Sequence, residues 1–186
     1  MSLQVGIVGL GIMGGAFARN LLVDGHSVIG YDILEENIEA IVNLGGKAGG
    51  SPSDIAKQSD VVITSLPSIR AFHDVMTGEN GITDAKKEGI IVIECSTLPI
   101  QDKQEAFESL ATVGSVLLDC PISGTGAQAT NKDLSVYGSG DEEAFQGQEV
   151  LAKSHSSGRC HTGACSRLRP LFGHTQETRQ GGITPS

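Results

Sequence analysis

The chain alternates short apolar runs with longer segments in which apolar residues recur every three or four positions. Leu3–Val8 is apolar and β-branched, and Ser27–Tyr31, Asp60–Leu66, Ile90–Glu94 and Val116–Cys120 repeat that character. Short apolar runs bounded by turn residues predict strands buried on both faces. Between them, Ile12–Val23 sets Ile12, Ala16, Leu21 and Leu22 at helical spacing. Glu35–Leu44 turns Ile38, Ile41 and Val42 inward and stops at Gly45-Gly46. Ser51-Pro52 opens a short helix, with the serine as N-cap and the proline in the first turn. Pro99–Val113 predicts another helix and Leu134–Tyr137 a further strand. A last helix starts at Gly140-Asp141, capped by Asp141, and runs to Lys153. This alternation predicts an α/β fold: a doubly wound, mostly parallel sheet covered by helices on both faces.

The first break in the apolar pattern carries chemistry. Gly9-x-Gly11-x-x-Gly14 follows the first strand directly and opens the first helix. Gly9 permits a tight turn, Gly11 lets backbone approach a pyrophosphate, and Gly14 lets helix and strand pack closely. The amides that begin the helix, at Ile12 and Met13, would then face phosphate oxygens at the positive end of the helix dipole. Asp32 ends the second strand, where an acid can accept hydrogen bonds from an adenosine ribose. That carboxylate repels a 2′-phosphate, and Ile33–Gly46 holds no Arg or Lys to bind one. The motif therefore predicts a dinucleotide site that takes NAD in preference to NADP.

Composition narrows the setting. The chain of 186 residues is long enough for one sizeable core or a domain with an appendage. Its net charge of −9 argues against nucleic acid or an anionic membrane as partner. No apolar stretch approaches the ~20 residues of a spanning helix, and no basic segment followed by an apolar one suggests a signal peptide. The four cysteines then read as thiols in a reducing, cytoplasmic setting. Cys95 and Cys120 fall at strand ends and read as small buried hydrophobes.

Three further stretches extend the picture: Ser65-Leu66-Pro67-Ser68, Glu94-Cys95-Ser96-Thr97 and "DCPISGTGAQATNKDLSVYGSG" at 119–140. With the glycine motif and Asp32, they resemble the β-hydroxyacid dehydrogenases, over about residues 3–152. That family includes 3-hydroxyisobutyrate dehydrogenase and is related to 6-phosphogluconate dehydrogenase. The resemblance implies a Rossmann-type domain over residues 1–153, with Leu66 and Pro67 along the cofactor and Thr97 near the nicotinamide ribose. It also implies that Ser123, Gly124 and Thr125 face a substrate carboxylate or hydroxyl. On residue chemistry alone, ordinary turn-making competes with that role for Ser123 and Thr125. The implied reaction is hydride transfer between NAD and the hydroxyl carbon of a small 2- or 3-hydroxy acid.

The resemblance further implies a second, all-helical domain whose lysine handles the proton. No lysine follows Lys153 and no asparagine follows Asn131, so neither that lysine nor its supporting asparagine has a counterpart. No catalytic residue is assigned, and little or no turnover is expected. The family usually dimerises through the helical domain, which leaves the oligomeric state open. Residues 1–150 hold 8 Lys and Arg against 21 Asp and Glu, whereas 151–186 hold 5 against 1. Residues 154–186 show no apolar period, and an irregular, disordered tail is expected there. His155, Cys160, His161, Cys165 and His174 lack the close Cys-x-x-Cys spacing of zinc sites, so no metal is expected. His26, in a turn-like "DGHS", reads as packing.

Overall fold

The computed structural model describes residues 3–136. Tyr137, the helix expected from Gly140 and the tail from 154 lie outside the described residues. Six parallel strands form one sheet: β1 (Gln4–Val8), β2 (Ser27–Tyr31), β3 (Lys47–Ala48), β4 (Val61–Thr64), β5 (Ile91–Glu94) and β6 (Val116–Asp119). Their order is β3-β2-β1-β4-β5-β6, so the direction of winding reverses between β1 and β4. The helices are α1 (Ile12–Val23), α2 (Glu35–Asn43), α3 (Pro52–Gln58), α4 (Ile69–Thr77), α5 (Ile100–Thr112) and α6 (Gly126–Thr130). A two-stranded antiparallel ribbon, β7 (Ile122–Ser123) with β8 (Ser135–Val136), frames α6.

The strand alternation divides the core in two. Val5, Ile7, Val61, Ile63, Ile93 and Leu118 point to one side, where they meet Phe17 and Leu21 of α1, Ile41 of α2 and Ala129 of α6. Val8, Ile29, Val62, Val92 and Leu117 point to the other, against Ile55 of α3, Phe72 and Met76 of α4, and Leu110 of α5. Both faces of every central strand are therefore dry, as near-continuous apolar runs require. Register is in step across the sheet, with Val5 beside Val28 and Val61, and Val61 beside Ile91. The strand ends consequently finish level, and the loops that follow them share one edge.

The expected doubly wound sheet is present, with differences of detail. Val42 is 45% exposed and Ile12 78% exposed, so neither joins the core. The strand from Asp60 ends at Thr64, which releases Ser65 and Leu66 into the loop. The segment at Leu134 belongs to the small ribbon rather than to the main sheet. Ser51 caps α3 as expected, its Oγ accepting from Asp54 N at 3.1 Å. No helix among the described residues is long and apolar enough to cross a membrane.

Candidate functional site

The loop from β1 into α1 sits at the point where the sheet reverses. Gly9 has φ +87°, and a Cβ there would overlap the Ser65 carbonyl. Gly14 packs so closely that its Cβ would overlap the Gly9 carbonyl. Both glycines are thus required by the protein itself. Gly11 is different: it is exposed, and a Cβ built there meets nothing within 4 Å. The amides of Ile12, Met13 and Gly14 find no acceptor among the described residues, and Gly15 N is the first to bond back, to Gly11 O at 2.8 Å. The loop leaves a row of free donors beneath open space at the start of a 12-residue helix.

Asp32 follows β2 and closes the loop from the side. Its Oδ2 accepts from Leu10 N at 2.7 Å and its Oδ1 from Leu34 N at 2.9 Å. The carboxylate is half-buried, and each oxygen accepts one of these bonds with further acceptor capacity remaining. One residue therefore sets the shape of the glycine turn and presents a negative charge beside it.

The loops after β4, β5 and β6 are tied into a network. Leu66 N donates to Ser96 Oγ at 2.8 Å. Ser96 N donates to Glu94 Oε1 at 2.6 Å, and the Thr64 hydroxyl donates to Glu94 Oε2. Lys103 Nζ, from the first turn of α5, donates to Ser96 O at 2.7 Å and pairs with the Asp119 carboxylate. Glu94 is fully buried, and that burial pushes its carboxyl above the usual range, against the lowering effect of the Ser96 and Thr64 hydrogen bonds and of the Lys103 charge. Leu66 is half-buried, while Pro67 and Thr97 stand exposed.

The segment Ser123-Gly124-Thr125 follows β6 on the same edge, exposed throughout. Thr125 works as a helix cap: its Oγ1 accepts from Gln128 N at 3.3 Å, and Gln128 Oε1 accepts from Thr125 N at 3.0 Å. Its hydroxyl is therefore engaged locally, whereas no hydrogen bond engages the Ser123 hydroxyl among the described residues. Ser123 lies opposite Ser135 in the short ribbon. Gly126 packs against Ile12, so the start of α6 touches the residue just after Gly11. Asn20 Nδ2 donates to Ala129 O at 2.9 Å, and Lys132 Nζ bonds Asp24, fixing α6 along α1.

Glu94, Ser96, Lys103 and Asp119 were not singled out from the sequence as site residues. The signal for Lys103 exists: it lies three positions before Ala106 and seven before Leu110, both buried, so it occupies the inward stripe of α5. A lysine on such a stripe needs partners. His73 Nε2 lies 2.7 Å from Asp102 Oδ1, a half-exposed pair that joins α4 to α5. His26 Nδ1 accepts from Leu3 N at 3.4 Å, and burial lowers its pKa, in keeping with packing. Cys95 and Cys120 are free thiols, fully buried, and burial pushes both well up, away from reactivity. Among the described residues no three His, Cys, Asp or Glu side chains gather as metal ligands. A cleft of about 490 Å³ between α1, α2 and α6 includes Leu10 and Ile12 but not Asp32, Leu66 or Thr97, and so lies beside the strand-end edge rather than on it.

Residues 4–163 match the family described as the NAD binding domain of 6-phosphogluconate dehydrogenase, a span that runs beyond the 3–152 covered by the motifs. The probable mitochondrial 3-hydroxyisobutyrate dehydrogenase of Dictyostelium discoideum is 32% identical over 162 residues, covering 87% of this chain and 50% of that protein. L-threonate dehydrogenase of Cupriavidus necator is 32% identical over 174 residues, covering 91% of this chain and 58% of that one. The chain spans about half the length of the curated relatives it matches. The solved structure of Psf3 in complex with NADP+ and 2-OPP superposes with a TM-score of 0.79 at 21% identity, over 95% of this chain and 57% of that one, a likeness of fold. With that match over most of its length, and with the glycine turn, free amides and parallel sheet it calls for, the chain belongs to the family of the 6-phosphogluconate dehydrogenase NAD-binding domain, the NAD(P)-binding domain of 3-hydroxyisobutyrate dehydrogenase-like oxidoreductases.

Proposed function

We propose that this chain holds NAD(H), in preference to NADP(H), as the cofactor domain of an oxidoreductase acting on small 2- or 3-hydroxy acids. The observation that carries the reading is the open face of Gly11 above unpaired first-turn amides. Gly9, Gly11, Ile12, Met13 and Gly14 would hold the diphosphate through backbone N–H groups. Asp32 would accept from the adenosine ribose and repel a 2′-phosphate. Leu66, Pro67 and Thr97 would line the path of the second nucleoside, and Ser123 and Gly124 would meet the hydroxy acid. For Thr125 the contribution is its cap, which orients the start of α6 (Thr125 Oγ1 to Gln128 N, 3.3 Å). The bound cofactor supplies the hydride acceptor; the chain orients it and shields one face.

Lys103, the lysine tied to the loops at the strand-end edge, is buried against Ser96 and Asp119 and does not offer the proton-handling lysine that the resemblance implies. We therefore propose binding with little or no turnover by this chain alone, a dinucleotide-holding module. Titration with NADH and NADPH by nicotinamide fluorescence, followed by assay of NAD reduction with 3-hydroxyisobutyrate and L-threonate, tests both parts. The expected result is saturable NADH binding, weaker NADPH binding, and no measurable rate. Equal affinity for the two cofactors would refute the Asp32 assignment, and a rate constant near ~1 s⁻¹ would refute the absence of turnover.

A further inference from the structure

We propose that Lys103 is a positioning residue: by bridging Ser96 O and Asp119 at the end of β6, it fixes the β5 loop, to which Ser96 Oγ ties the β4 loop, into one platform for the non-adenosine half of a bound dinucleotide. The inference rests on the dinucleotide reading of the glycine loop and extends it to residues that touch no ligand. Its starting point is strand order. With the diphosphate at the end of β1 and an adenosine ribose at Asp32 after β2, the second nucleoside must extend the other way, over β4 and β5. Neighbouring strands are about 4.8 Å apart, so the ends of β4 and β5 lie roughly 5 and 10 Å from the diphosphate, within reach of a ribose and its base.

Those two ends, and that of β6 beyond them, are the three that the network joins. Ser96 is the hub: its Oγ receives Leu66 N, its N–H reaches Glu94, and its carbonyl receives Lys103. Lys103 carries the connection onward to Asp119, four residues before Ser123. It is 6% exposed, and its ammonium has just these two acceptors among the described residues. Burying a cation is costly unless it is paired and hydrogen-bonded. An apolar residue facing Ala106 and Leu110 would serve packing alone. The lysine's specific effect is to fix the spacing between the β5 loop and the β6 loop. Asp119 faces Lys103 with a third of its side chain exposed, so the far end of the bridge opens onto the edge where Ser123 stands.

The test compares two ligands on the full chain. ADP occupies only the adenosine and diphosphate positions, whereas NADH also spans the platform. Lys103→Met keeps the apolar stem and removes the ammonium; Ser96→Ala removes only the hydroxyl that receives Leu66 N. Each is expected to weaken NADH about tenfold, the scale of one hydrogen bond to a charged or buried partner, while ADP affinity stays within about twofold. The fluorescence enhancement of bound NADH should fall with it. Unchanged NADH affinity in Lys103→Met overturns the proposal, and so does a parallel loss of NADH and ADP, which marks a general structural effect. If Lys103→Met does not fold, Asp119→Asn, which removes the carboxylate at the far end of the Lys103 bridge, decides by the same two criteria. Should the unaltered chain bind neither ligand, the dinucleotide reading itself fails and the proposal with it.

Discussion

Replacing Gly11 by valine separates what the fold needs from what the ligand needs. Gly11 has φ −60° and ψ −160°, outside the left-handed region, and a Cβ there meets no atom within 4 Å. The folded chain can accept the new side chain without strain. Its cost in stability is the loss of a favourable N-cap residue, about 1 kcal/mol. A ligand fares differently, because the isopropyl group fills the space above the first-turn amides. Phosphate oxygens would be held off at least two N–H donors, each charge-assisted bond contributing about 1.5–3 kcal/mol. The combined loss of about 3–6 kcal/mol corresponds to more than a hundredfold in affinity. Calorimetric titration with NADH reads the binding, and urea unfolding of the same preparation reads the stability. Gly14→Ala is the counter-case: its methyl would overlap the Gly9 carbonyl, so it should destabilise by about 3 kcal/mol. A folded Gly11→Val protein that binds NADH as tightly as the unaltered chain would refute the assignment of the loop.

Asp32→Ser should shrink the preference for NADH over NADPH about tenfold and lower the melting temperature, because Leu10 N and Leu34 N lose their carboxylate acceptor; an unchanged cofactor ratio in competition titrations would count against the ribose role. Burial raises the Glu94 carboxyl above its ordinary 4.5, so the folded state retains a proton that the unfolded chain releases. The stability from this group is complete below pH 4.5 and is lost as pH rises through the folded value. Glu94→Gln should remove that arm and be the more stable protein at neutral pH; parallel unfolding curves for the two proteins would contradict it. Asn20→Ala leaves the Ala129 carbonyl without its buried donor and should cost about 1–3 kcal/mol. Hydrogen exchange would show the loss as faster opening of Gly126–Thr130, and unaltered protection there would exclude the tether.

What the sequence revealed, and what it hid, follows from the range of the interactions. Leu3–Val8, Val116–Cys120 and their like were legible as strands because burial on both faces leaves their central positions apolar, with Gln4 and Asp119 confined to the strand ends. Ser51-Pro52 was legible because a cap and its helix lie within one turn. Helix α4 is masked in the sequence although Phe72, Val75 and Met76 have helical spacing and Ser68 Oγ accepts from Ala71 N, because the Ser65–Ser68 run that opens it has the character of a cofactor loop. Ile12 looked like a core position because Ala16 follows at one turn, yet it lies at the helix entrance, where side chains point past the sheet. The network was hidden for a different reason. Thr64, Glu94, Lys103 and Asp119 come from four elements, and Lys103 stands among Gln101, Asp102, Gln104 and Glu105, a neighbourhood that reads as solvated. Only the sheet order brings them together.

The two bonds to Asp32 also bear on how quickly this site can fill. Because Leu10 and Leu34 are pinned before any nucleotide arrives, the turn has no alternative shapes to abandon on association, and the entropic cost of ordering it falls on folding instead. Capture then amounts to a single collision with a rigid receptor, its rate proportional to nucleotide concentration with no plateau from a slow rearrangement.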